Sequence, residues 1–174
     1  MSISHVISSG WRRFLAAFRV SDQQTLLETL CDAYRTEADT VMRYTQRADQ
    51  MYYPQFRAEL LRIAAEVQAH LPWLREQIGA LGGNLPSSTP RPTPEQNSWE
   101  CLRRDVEEAR RGCDRLLEWI HRVEREEPAL AVGLGRIRKD KLRHREELRQ
   151  LLMKSDPYTT TVFPQHQNAH RTQA

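Results

Sequence analysis

Two stretches of this chain decide its fold: Ile63-Ala64-Ala65-Glu66-Val67-Gln68-Ala69-His70 and Ile137-Arg138-Lys139-Asp140-Lys141-Leu142-Arg143-His144. Each has an isoleucine seven residues before the histidine and an acid four residues before it. Each also continues with Leu-Arg at the fourth and fifth positions after the histidine. Residues three, four or seven positions apart share one face of an α-helix. The repeat therefore predicts a duplicated helical hairpin with polar groups at its centre.

The composition predicts an all-α protein with one main domain. The chain has 174 residues, enough to bury a core, with only 7 glycines and 28% charged residues. Its net charge is +3, and the acidic and basic residues are interspersed, which gives no nucleic-acid footprint. No apolar run approaches the roughly 20 residues that span a membrane. The 3 cysteines form no CxxC motif, so we expect a reducing, cytoplasmic location.

Apolar spacing and helix-breaking residues predict four long helices. Gly82-Gly83 is expected to close the second helix, and Pro72 to kink it, because proline lacks the backbone N–H. The predicted limits are Ser21 to Met51, Gln55 to Leu81, Pro94 or Ser98 to Glu126, and Pro128 to about Ser155. Residues 84–94 contain four prolines and predict an extended crossover between the second and third helices.

The two ends of the chain are predicted to lie outside the bundle, which spans residues 21–155. Residues 1–20 are expected to form a short amphipathic helix with Trp11, Phe14 and Phe18 on one face. That helix either caps the bundle or, in an alternative function, docks residues 11–18 on a membrane surface. Residues 156–174 are polar and without helical period, which predicts a disordered tail.

Four polar residues fall on the apolar stripes of the predicted helices: Glu37, His70, Lys141 and His144. Burying charge or imidazole is costly unless the group is paired, hydrogen-bonded or bound to a metal. We therefore expect these side chains to meet at one level of the bundle and to satisfy one another.

The chain resembles the ferritin-like superfamily, on its rubrerythrin and bacterioferritin side, over about residues 22–153. The resemblance lies in the runs Glu37…Tyr44, Glu66…His70…Leu81-Gly82-Gly83 and Pro128-Ala129-Leu130…Ile137…Asp140…His144…Leu148. It implies an up-down four-helix bundle with a long crossover between the second and third helices. It also implies a di-iron site, with one glutamate on each of the first and third helices and a Glu-x-x-His pair on each of the others.

The match to that ligand set is incomplete. The carboxylates implied three residues before the histidines are Val67 and Lys141 in this chain. Acids stand instead four residues before each histidine. On the third helix, neither Glu107 nor Glu108 lies on the apolar stripe, and Glu108 is the better candidate. The candidate metal ligands are Glu37, Glu66, His70, Glu108, Asp140 and His144.

Two interpretations of this centre remain open, and we favour the one with no metal or only weak metal binding. In it, Lys141 pairs with Glu37 and its ammonium opposes a cation, so no cofactor is needed. The protein then acts as a structural or interaction protein, in a homo-oligomer, rather than as an enzyme.

The other interpretation keeps a metal, namely iron, manganese or zinc. The chain is then a di-iron carboxylate protein with ferroxidase, peroxidase or oxygen chemistry at a rearranged site. A variant of this interpretation has one metal ion held by Glu66, His70, Asp140 and His144, since residues four apart share a helix face.

Overall fold

The computed structural model describes residues 4–51, 53–87 and 97–155, with side chains described from Gln23 onward. This part of the chain contains five helices and no strand, so the predicted all-α bundle is confirmed. The helices are α1 (Ser4–Gln50), α2 (Pro54–Gln68), α3 (Leu71–Ala80), α4 (Ser98–Val123) and α5 (Pro128–Lys154). Helix α1 packs against α2 and α3, α4 packs against α5, and α1 also contacts α4. Two helical hairpins thus lie side by side.

The helix ends follow the predicted local signals. Proline stands in the first turn of α2 and of α5, where its missing N–H costs nothing. Asn97 caps α4, since its side chain accepts a hydrogen bond of 2.7 Å from the N–H of Trp99. Gly82 has φ of +73°, and the N–H of Gly83 donates to the carbonyl of Ile78 at 2.9 Å, which closes α3.

The second predicted helix is broken at Ala69-His70 into α2 and α3. Pro72 lies in the first turn of α3 and cannot donate to the carbonyl of Gln68. The predicted kink is therefore confirmed and takes the form of a break. His70 keeps helical backbone angles there, with φ −77° and ψ −28°, so it still faces the same side as the stripe.

The predicted start of the first helix at Ser21 is wrong. Helix α1 begins at Ser4 and passes through Ser21, so residues 4–20 continue it and form no separate short helix. Leu15, Ala16, Ala17 and Arg19, just before Ser21, are good helix formers, so a serine that can cap a helix here lies inside one.

Several predictions concern residues outside the described part of the chain. The side chains of residues 11–18, the crossover residues 88–96 and the tail 156–174 are among them. Within the described helices, no stretch is both long and apolar enough to cross a membrane. All three cysteines are free thiols.

The core consists of two apolar clusters, one toward each end of the bundle. The first cluster includes Tyr44, Phe56, Leu60, Ile63, Val67, Leu102 and Leu148. The second cluster includes Leu30, Leu74, Ile78, Leu116, Leu134 and Ile137. On α1, at the join of α2 and α3, and on α5, four buried or half-buried polar residues lie in sequence between the residues of one cluster and those of the other: Glu37, His70, Lys141 and His144. The apolar stripes that predicted the helices are thus confirmed as the faces that pack together.

Two glycines at the start of α5 allow a matched test of this packing. A Cβ on Gly133 would lie 2.0 Å from Cζ2 of Trp73 on α3, whereas a Cβ on Gly135 would meet nothing within 4 Å. We expect Gly135→Ala to stabilise the fold by about 0.5–1 kcal/mol through helix propensity. Gly133→Ala should instead destabilise it by about 1–3 kcal/mol, because the indole must move. Urea unfolding measures both, and equal effects of the two changes would contradict the packing.

Candidate functional site

A polar layer separates the two apolar clusters of the core, and each hairpin contributes to it. We define this layer by Glu37 on α1, His70 at the break between α2 and α3, Gly112 on α4, and Lys141 and His144 on α5. Glu37 is 2% exposed, Lys141 5% and His144 2%. Buried groups of this kind remain stable only with partners, so their contacts define what the layer can do.

Glu37 is held by two partners. Its Oε1 lies 2.7 Å from Nζ of Lys141, and its Oε2 lies 3.1 Å from Nδ1 of His70. The carboxylate of α1 is therefore fixed by an ammonium from α5 and an imidazole from the break between α2 and α3. The predicted pairing of Lys141 with Glu37 is confirmed.

The surroundings of Glu37 keep it ionised. Burial alone would raise the pKa of Glu37, but the Lys141 charge and the hydrogen bonds from His70 and Lys141 hold that pKa below its ordinary value. The ionised Glu37 carboxylate therefore stabilises the fold fully at pH values above the pKa that Glu37 has in the unfolded chain. This stabilisation is lost as the pH falls through the lower pKa that Glu37 has in the folded protein.

Gly112 makes room for the Lys141 side chain. A Cβ at this position would lie 2.9 Å from Cδ and 3.5 Å from Nζ of Lys141. Helix α4 thus meets the centre of the layer with a residue that has no side chain, and Glu108, the ligand that the resemblance implies on this helix, lies one turn earlier. A glycine inside a helix costs about 1 kcal/mol relative to alanine, so its position here marks a close approach.

His144 pairs with Glu66 and not with Glu37. Its Nε2 lies 2.8 Å from Oε2 of Glu66. Arg143 lies 2.6 Å from the same oxygen, and Arg62 contacts the other. The four polar residues lie at one level, but the expectation that they satisfy one another is wrong for His144, because Glu66, held by Arg143 and Arg62, is the carboxylate within reach of its ring.

The remaining candidates lie in different places. Asp140 is 3.4 Å from Nε2 of His70 through Oδ2 and 3.2 Å from Arg143 through Oδ1. Glu108 pairs with Arg111 at 3.1 Å and lines a cleft between α1 and α4. The structure therefore groups Glu37 with His70 and Asp140, groups Glu66 with His144, and leaves Glu108 apart.

The present arrangement does not fit a di-iron centre. Both oxygens of Glu37 are engaged, one of them by an ammonium at 2.7 Å. Hard cations need oxygen ligands with net negative charge, and this ammonium neutralises the charge of the Glu37 carboxylate. Over the described ranges, no three or more His, Cys, Asp and Glu side chains are grouped so as to hold a metal ion. A metal role for the six candidates stays a prediction.

A second buried ion pair and the role of Gly112 were not predicted from the sequence. Asp105 is 0% exposed and lies 2.9 Å from Arg47 through Oδ2 and 3.2 Å from Arg43 through Oδ1. Burial, and then the Asp105 charge, raise the pKa of the neighbouring Tyr44. A signal was present, since steps of three and four from Leu102 give 105, 109, 112 and 116. Their apolar neighbours Val106 and Cys113 were enough to predict this helix face without them.

The fold is similar to solved structures of ferritin-like proteins. A bacterioferritin from Desulfovibrio desulfuricans gives a TM-score of 0.71 at 17% identity, over 76% of this chain and 81% of the other. A ferritin-like, diiron-carboxylate protein from Bacillus anthracis gives 0.67 at 23% identity, over 75% and 97%. A protein from Xanthomonas campestris gives 0.66 at 15%, over 76% and 92%. No family model and no curated protein matches the sequence. The chain therefore has the ferritin-like fold.

His144 predicts a pH dependence of stability. Burial lowers the pKa of His144 and outweighs the opposing effect of Glu66, with Glu147 and Arg143 also facing the ring. In the unfolded chain His144 takes up a proton near its ordinary pKa of 6.5. In the folded chain it does so only at lower pH. The free energy of unfolding should therefore fall as the pH drops below about 6.5.

We expect His144→Gln to lessen this loss, because an amide takes up no proton. Urea unfolding of the variant and of the wild type at a series of pH values between neutral and weakly acidic measures the effect. His121→Gln is the matched control, since His121 is exposed on α4. An unchanged pH dependence in His144→Gln would contradict the assignment.

Proposed function

We propose that this ferritin-like bundle works without a bound metal and acts as a structural or interaction protein rather than as an enzyme. One observation carries the proposal: Nζ of Lys141 lies 2.7 Å from Oε1 of Glu37, with side chains only 6% and 3% exposed. The ammonium supplies the positive charge that a metal ion would otherwise give to the Glu37 carboxylate.

The electrostatic balance supports this assignment. A divalent cation about 4 Å from an ammonium is repelled by about 8 kcal/mol at an effective dielectric constant of about 20. Metal binding at Glu37 would therefore require Lys141 to move away or to lose its proton. Either change leaves the carboxylate without its present buried partner, which is itself costly.

The polar layer then has a structural role. Lys141 joins α5 to α1, His70 joins the break between α2 and α3 to α1, and His144 joins α5 to α2. Each of these contacts forms only when the helices lie in one register, because the two clusters on either side of the polar layer are apolar. Self-association of the chain is part of this proposal and rests on the resemblance alone.

A rearranged metal site is the second candidate, and one contact favours it. A single nitrogen of Arg143 lies 2.6 Å from Oε2 of Glu66 and 3.2 Å from Oδ1 of Asp140. The two carboxylates, each beside one of the paired histidines, thus converge on the same cation. The printed names of two similar structures, a bacterioferritin with a diiron site and a diiron-carboxylate protein, add to this candidate.

Metal content tests the proposal. We expect the full chain, purified without chelator, to hold well below one equivalent of iron, manganese or zinc by mass spectrometry. Lys141→Glu should raise the affinity for Fe²⁺ or Mn²⁺ in a titration, because a carboxylate replaces the ammonium at the position where the resemblance implies one. Lys139→Glu is the matched control, since it makes the same charge change at an exposed position of α5.

Two outcomes would overturn the proposal. One is a wild-type protein with one or two metal equivalents that are lost in both His70→Ala and His144→Ala. The other is an equal change in metal affinity for Lys141→Glu and Lys139→Glu. In that case the gain would come from overall charge and not from the polar layer.

A further inference from the structure

A cleft of about 410 Å³ lies between α1 and α4, apart from the polar layer. Five arginines line it, together with two glutamates, so the lining has a formal excess of three positive charges. The arginines are Arg43, Arg47, Arg103, Arg104 and Arg111. Nothing in the proposed metal-free function uses this concentration of guanidinium groups.

The floor of the cleft contains a buried carboxylate with two arginines beside it. Asp105 is fully buried and lies 3.2 Å from Nε of Arg43 and 2.9 Å from a terminal nitrogen of Arg47. Arg47 is 6% exposed and also donates to the carbonyl oxygen of Cys101. Two guanidiniums thus face one buried carboxylate: Arg47 donates a hydrogen bond to it, whereas Nε of Arg43 and Oδ1 of Asp105 lie close without hydrogen-bond geometry. With Asp105 counted, the formal excess at the cleft is still two positive charges.

The wall of the cleft is formed by the first half of α4. Glu107 lies 2.9 Å from Arg110 and 3.2 Å from Arg111, and Glu108 lies 3.1 Å from Arg111. Arg110 does not line the cleft, so Glu107 is partly neutralised by an arginine outside the cleft. Isolated pairs of this kind on an exposed helix are worth about 0–1 kcal/mol. An anion that competes for Arg111 therefore has little to displace.

We propose that this cleft binds a small anion with a phosphate chain, either free or as part of a nucleoside triphosphate. Guanidinium groups present planar, paired N–H donors that match phosphate oxygens, and several of them on a concave surface favour a multiply charged ligand. The volume lies within the range of about 300–1,000 Å³ found for small-molecule sites. The site is concave and of that size, so it fits a small anion better than a nucleic-acid duplex.

Calorimetric titration of the full chain with inorganic tripolyphosphate and with ATP tests this site. We expect binding of both, weakened at high ionic strength. Arg111→Ala should lower the affinity roughly tenfold, since one charge-assisted contact is lost. Arg110→Ala is the matched control, because Arg110 is the neighbouring residue, has the same partner Glu107 and is equally exposed, at 55% against 58%. This control should change the affinity by less than about twofold.

The outcomes distinguish a free phosphate chain from a nucleotide, and both from unspecific attraction of any polyanion. Equal affinity for tripolyphosphate and ATP identifies the phosphate chain as the ligand, and tighter binding of ATP identifies a nucleotide. The proposal is overturned if neither anion binds at millimolar concentration and low ionic strength. It is also overturned if Arg110→Ala and Arg111→Ala weaken binding equally, or if poly-glutamate binds as tightly as tripolyphosphate. Circular dichroism of each variant shows that the helices are intact.

Discussion

Lys141 and Glu37 form a buried ion pair between α5 and α1, at the level where the two apolar clusters of the core meet. An unpaired buried charge costs several kcal/mol, so neither residue is tolerated there without the other. Residues from the other helices contact this pair. Gly112 leaves space for the lysine stem, and His70 occupies the second oxygen of Glu37. The helix break caused by Pro72 lies at His70 itself, between α2 and α3.

The sequence predicted most features that depend on neighbouring residues and missed several that depend on distant ones. The starts of α4 and α5, the closure of α3 at Gly82 and the break before Pro72 follow from caps, prolines and glycines, which act within one turn. The predicted start of α1 at Ser21 was wrong because a serine that can cap a helix here lies inside one. Asp105 and Gly112 were missed because their burial depends on side chains from other helices, Arg47 and Lys141.

The same fold carries different chemistry according to a few positions on its inner faces. In this chain the ferritin-like architecture and the paired histidines are present, while Val67 and Lys141 stand where the resemblance implies carboxylates. The histidines hydrogen-bond to different carboxylates, His70 to Glu37 and Asp140, and His144 to Glu66. On our proposal, the polar layer holds the helices in register. The arginine cleft between α1 and α4 then offers a ligand site that does not depend on that layer.

A double-mutant cycle on Glu37 and Lys141, measured by urea unfolding with a metal chelator present, tests whether these two residues stabilise the bundle as a pair. We expect Glu37→Gln and Lys141→Met each to destabilise the protein by about 3–5 kcal/mol, because each leaves one buried charge without its partner. The double variant should be no less stable than either single variant, since it buries no charge. Additive losses would show that the two residues act independently, and that result would contradict the account.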